Sequence, residues 1–207
     1  FLSIVASNLD EFFEIRIARI MDQLRTKSPP PGMTLADIRA QYGAIAATVH
    51  ALVDDQYRCL NTQVLPALAS CGVRLLRLSE LTDAQRAWVA TAFREQVRPI
   101  LTPIGLDPAH PFPQVGNKSL NFVIELSGRD AFGRETSIAI VKAPRVLPRV
   151  FRLPAALGAG EHAFLLLSAV IHEHLSDLFH GRDVVAYSQF RVTRDADLWF
   201  DEEEVKN

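Results

Sequence analysis

Five prolines, Pro99, Pro103, Pro108, Pro111 and Pro113, crowd one short segment of the chain. No regular helix crosses such a segment, because each proline lacks an N–H and clashes with the turn before it. The two sides must therefore fold differently. On the N-terminal side the apolar residues Leu9, Phe13, Ile17, Ile20 and Leu24 recur every three or four positions, which puts them on one helical face. Asn8 with Glu11 fits a capping box that starts this helix, with Asp10, Glu11 and Glu14 suiting the positive end of its dipole. Ser28-Pro29-Pro30-Pro31-Gly32 breaks it. Thr34 with Asp37 starts a second, long helix whose stripe runs Leu35, Ile38, Tyr42, Ile45, Val49, Leu52, Gln56, Leu60, Val64, and Gly72 ends it. A short extended piece comes next, Val73 to Leu78. The box Thr82-Asp83-Ala84-Gln85 then predicts a third helix that stops before Pro99.

Beyond the prolines the period changes. Leu120, Phe122, Ile124 and Leu126 alternate with Asn121, Val123 and Glu125, which is strand spacing, and residues 137–141 form a second candidate strand after a turn in 128–133. A helix is expected over 168–179, closed by Gly181, and a further strand over 184–193. The expectation is an α+β chain: an all-helical antiparallel bundle in residues 1–98, then a mixed α/β domain in 99–207.

Charge and composition exclude several classes. Lys and Arg number 22 against 24 Asp and Glu, a net charge of −2, which argues against a chain whose main business is nucleic acid. An apolar content of 48% argues against disorder. The longest apolar run, around residues 164–171, falls short of the roughly 20 residues that span a bilayer, so no transmembrane segment is expected. Cys59 and Cys71 make no disulfide framework and read as packed helix residues, pointing to a reducing cytoplasmic compartment, free or peripheral to a membrane. Phe1-Leu2-Ser3-Ile4-Val5-Ala6 opens the chain inside an apolar stretch with no Met, as if cut from something longer.

Few residues offer chemistry. His172 and His174 would point about 200° apart on a helix and cannot chelate one ion from the same face. They read as part of a solvated face, with Val170, Ile171, Leu175 and Leu178 on the core side. His110, held beside Pro111, stands in a special environment but is more simply structural. Lys142, Arg145, Arg149 and Arg152 recur every three or four residues in a stretch without acids, and prolines at 144, 148 and 154 keep that stretch extended or turning. Such a strip can track a polyanion, because arginine forks match phosphate oxygens; an ordinary solvated edge is the competing reading. Arg191 and Arg194 add a second modest basic feature with the same competitor. Asn8, besides capping, presents a donor and an acceptor side by side, the pattern that matches an adenine edge.

Four strings are more specific. Ser7-Asn8-Leu9-Asp10-Glu11-Phe12-Phe13 followed by Ile15-Arg16-Ile17-Ala18, then Leu101-Thr102-Pro103-Ile104 running on through Asp107-Pro108-Ala109-His110-Pro111-Phe112-Pro113, then Leu147-Pro148-Arg149-Val150, then Gln189-Phe190-Arg191-Val192-Thr193-Arg194-Asp195-Ala196-Asp197-Leu198 stand in order along the chain. Together they resemble the bacterial polyphosphate kinases of the long-chain, histidine-phosphorylated family. The resemblance covers nearly the whole chain. It implies an N-terminal helical domain followed by part of a head domain, truncated at both ends, with the family's first helix missing. It also implies reversible transfer of the terminal phosphate of ATP to inorganic polyphosphate through a phosphohistidine, with Mg²⁺. Asn8 is the position it assigns to the adenine base of ATP or ADP. The phosphorylated histidine and the metal-binding residues are expected in C-terminal domains with no counterpart here, so none of the six histidines is the nucleophile and the chain alone is expected to be inactive. Polyphosphate and a homodimer or higher homo-oligomer built through the head domain are the implied partners. The alternative is a non-catalytic polyphosphate-binding or dimerisation module.

Overall fold

The computed structural model describes residues 1–106, 112–128, 138–157 and 162–195. The chain forms two compact units, Phe1–Val64 and Leu65–Val192, with the described residues from Thr193 on grouping with the first.

The first unit is helical. Helix α1 (Leu2–Phe12) passes through a π-turn at Phe13–Ile17 into α2 (Ala18–Thr26). The helix stops where Lys27 takes a left-handed conformation with φ 52° and donates its N–H to Gln23. Helix α3 (Leu35–Cys59) returns, and its own π-turn spans Leu60–Val64. The Gln56 amide near the end of α3 donates to the Leu2 carbonyl at 2.6 Å, so the two arms run antiparallel. Thr34 and Asp37 form the expected capping box, with the Thr34 hydroxyl accepting from the Asp37 N–H at 3.2 Å. Ile17 and Ile38 are buried where the stripes of the two arms meet.

The second unit is built on two sheets. Helix α4 (Leu65–Ser70) ends at Gly72, whose φ of 81° is cheap only without a Cβ. Strand β1 (Val73–Leu75) and a 3₁₀ turn follow, and the Thr82 capping box opens α5 (Asp83–Ala92). A π-turn, Phe93–Val97, and a short 3₁₀ turn holding Pro99 end this helix, as the proline demands. Strands β2 (Pro103–Gly105), β3 (Leu120–Ser127) and β4 (Ile138–Ala143) come next, then β5 (Val150–Arg152) and β6 (His162–Leu166). Helix α6 (Leu167–Glu173), a 3₁₀ turn and β7 (Asp183–Phe190) complete the described part. One sheet is antiparallel with strand order β2-β4-β3-β7; the other has order β1-β6-β5, with β1 parallel to β6. Register places Phe122 against Val141 and Ile124 against Ala139 on one face, and all four are buried. They share a single core with Phe151, Ala163 and Leu165 of the other sheet, Val89 and Phe93 of the α5 segment, and Val170 and Ile171 of α6. Burying each large side chain of this set contributes about 1.5–3 kcal/mol.

Three expectations are corrected. Asn8 is no cap: α1 begins six residues earlier in a run where Leu2, Val5 and Leu9 continue the apolar face, and no side chain caps it. The acids at 10, 11 and 14 therefore do not sit at a helix N-terminus. The helix expected over 168–179 is broken at His174 (φ −119°, ψ 19°), where the chain tightens into a 3₁₀ turn, Leu175–Leu178. The strand expected over 184–193 ends at Phe190, with Val192 joined only by an isolated bridge to Asn117. The turn at 128–133 is described only at Gly128, which has φ 82°. Strands β2, β5 and β6 were not expected.

Candidate functional site

Asn8 lies in the middle of α1, exposed, and its carboxamide makes no hydrogen bond to a described residue. Its main-chain polar groups are absorbed by the helix. The side chain is thereby held on a rigid element with its donor and acceptor both available, the arrangement a base edge requires.

The basic positions part company in the structure. Lys142, at the end of β4, donates to the Gln114 carbonyl at 3.2 Å, and Arg145 donates to the Asn117 carbonyl at 2.9 Å. Both thus lean on one loop, residues 114–119. Arg149 instead donates to the Ala143 carbonyl at 3.3 Å, while its own carbonyl accepts from the Leu167 N–H at 2.9 Å. Arg152 stands on β5 with its guanidinium 3.4 Å from the His162 ring. Among the described residues Lys142, Arg145 and Arg149 meet backbone carbonyls and no carboxylate.

The loop beneath Lys142 and Arg145 is firmly built. Lys118 takes φ 56°, unusual for a residue with a side chain, and donates its N–H to the Val192 carbonyl at 2.8 Å. Asn121, fully buried, donates to the Ser119 carbonyl at 2.9 Å and to its hydroxyl at 3.1 Å. Among the described residues the buried Asn121 side-chain oxygen has no hydrogen-bond partner. Strand alternation puts Asn121 on the outward face; no local signal reveals that a loop covers that face. The bridge Asn117–Val192 also brings Arg191 beside this loop, a proximity no spacing in the sequence announces.

The histidines are less exposed than the sequence suggests. His174 stacks on Phe93 with ring centroids 4.7 Å apart, its Nδ1 is 3.0 Å from Asp177, and its buried Nε2 has no hydrogen-bond partner among the described residues. His172 packs on Tyr187 at 4.3 Å. The solvated-face reading is thus corrected: the break at His174 turns its ring inward onto the core, whereas Val170, Ile171 and Leu175 are buried as expected. Cys59 is half-buried in α3, but Cys71 is exposed in the turn after α4 rather than packed in a helix. His110 lies outside the described residues. Among the described residues no three His, Cys, Asp or Glu side chains converge. Nor is any described helix long and apolar enough to cross a membrane.

Comparison with known proteins gives this geometry a family. Residues 1–76 match the model of the polyphosphate kinase N-terminal domain, and residues 84–207 match that of the polyphosphate kinase middle domain. The chain is 46% identical over 210 residues to the polyphosphate kinase of Burkholderia multivorans and 47% identical over 207 residues to that of Pseudomonas aeruginosa. Each comparison covers 100% of this chain but 30% of the relative, so the chain spans under a third of their length. The crystal structure of polyphosphate kinase from Porphyromonas gingivalis superposes with a TM-score of 0.79 at 28% identity, over 97% of this chain and 29% of that one. Two adjoining domain matches in the family's own order, with a helical part followed by a mixed α/β part, place the chain in the polyphosphate kinase family.

Proposed function

We propose that this chain is the N-terminal and partial head region of an enzyme that reversibly transfers the terminal phosphate of ATP to inorganic polyphosphate through a phosphohistidine. The observation that carries the reading is the match of both domain models in sequence over this chain. In this reading Asn8 contacts the adenine base, and polyphosphate is held by basic residues of the head region, Lys142 and Arg145 among them. The N-terminal helical domain spans about 1–98 and the head region about 99–207, and the head region joins two or more copies of a cytoplasmic enzyme. Mg²⁺ supplies charge neutralisation to the phosphates when bound, on ligands elsewhere in the enzyme. Asn8 binds and orients the base from a rigid helix; the basic residues hold the anionic chain by charge. In the full-length parent, Asn8→Ala raises the ATP KM severalfold and alters polyphosphate affinity far less. Unchanged nucleotide kinetics remove Asn8 from the site.

A second reading, a non-catalytic polyphosphate-binding or dimerisation module, draws support from the cations that meet no carboxylate among the described residues. A full-length parent that binds polyphosphate in a salt-dependent way yet shows no turnover favours it.

A further inference from the structure

Two basic features far apart in sequence meet at one loop. Lys142 and Arg145 reach it from the end of β4, where they cap the carbonyls of Gln114 and Asn117. The backbone of Arg191 passes beside it just beyond β7, next to the Asn117–Val192 bridge. Lys118 lies in the loop itself, exposed, with its backbone fixed by the bond to Val192. From below, Asn121 clamps Ser119, whose N–H and hydroxyl in turn bond the Gly116 carbonyl at 3.1 and 2.7 Å. Such a floor holds its cations at small conformational cost on binding.

The chemistry of the loop favours an anion. The carbonyl lone pairs that would repel one are those the cations cover. Capping a single carbonyl occupies one of the three ammonium N–H groups of Lys142 and one of the five guanidinium N–H groups of Arg145, leaving the others for a ligand. Arg149 and Arg152 do not share this loop: the first bonds the Ala143 carbonyl, and the second lies on the three-stranded sheet beside His162.

We propose that Lys118, Lys142, Arg145 and Arg191 form one seat for a linear polyphosphate chain, floored by residues 114–119, and that Arg149 and Arg152 stand outside it. The inference rests on the polyphosphate reading and narrows it from a strip along one segment to a cluster drawn from three.

Titration of the 207-residue chain with sodium polyphosphate at low and moderate salt tests this, using variants matched for circular dichroism and Tm. K142Q/R145Q and K118Q/R191Q each weaken binding about tenfold or more and flatten its salt dependence, while R149Q/R152Q changes it less than twofold. Should one of the first two pairs fail to fold, the other carries the same comparison. If R149Q/R152Q weakens binding as much as they do, or if a folded variant of either cluster pair binds like the wild type, the seat is wrong although the polyphosphate reading survives. Wild-type chain that binds no polyphosphate overturns both. Single-stranded RNA that binds more tightly than polyphosphate at equal salt overturns the ligand class.

Discussion

The carboxylate of Asp37 accepts hydrogen bonds from the hydroxyl of Thr34 at 2.7 Å and from its backbone N–H at 2.8 Å. These bonds, the hydroxyl's first, hold the Asp37 carboxyl below its ordinary value of 3.8. The charged form is therefore the one the fold prefers. Its contribution is present above the unfolded pKa and is lost as pH falls through the lower folded one. Thr34→Ala costs about 1 kcal/mol at neutral pH. Asp37→Asn destabilises at neutral pH, and urea melts show its deficit shrinking once the solution is acidic enough to protonate Asp37 in the folded chain. A deficit unchanged at that pH would mean the charge is not what the box uses. Both this box and that of Thr82 were legible in the sequence because a cap is a four-residue event. Asn8 with Glu11 has the same spelling and fails, since the apolar face of α1 runs straight through it from Leu2.

Elements were legible in proportion to how local their causes are. Strand β3 shows its period over eight residues, whereas β2 is three residues whose only reason to be a strand is pairing with β4, far along the chain. The early end of α6 has a similar origin. Phe93, itself buried, draws the His174 ring into a stacked contact, and Arg86 of α5 forms an ion pair with Glu173 of α6. These tertiary contacts outweigh the helical propensity of the next few residues. Phe93→Ala costs about 3–5 kcal/mol in chemical denaturation, because it removes a fully buried ring from the shared core, and Phe93→Leu costs distinctly less. Equal losses for the two would show that the stack on His174, rather than the filled volume, stabilises this junction.

At the scale of the whole molecule, the near-neutral charge concealed a local concentration. The charge of −2 counts all residues equally, while folding gathers Lys118, Lys142, Arg145 and Arg191 around a single loop. The candidate site was half legible for this reason: Lys142 and Arg145 stood out by composition, but their meeting with residues 114–119 depends on the sheet. Because the chain spans 30% of its relatives and the proposed reading makes none of its histidines the nucleophile, labelled ATP should transfer no phosphate to polyphosphate in its presence alone. Scintillation counting of precipitated polymer measures this, and robust incorporation would refute the proposed division of labour.

The π-turns at Phe13–Ile17, Leu60–Val64 and Phe93–Val97 have a different kind of consequence. A π-turn winds about one more residue into a revolution than an α-turn does. Each is a reservoir of slack, a place where the backbone can gain or shed a residue while the next stretch of chain keeps its heading. Over generations, such joints let a rod of helix tolerate changes in length that would elsewhere turn its buried side toward water.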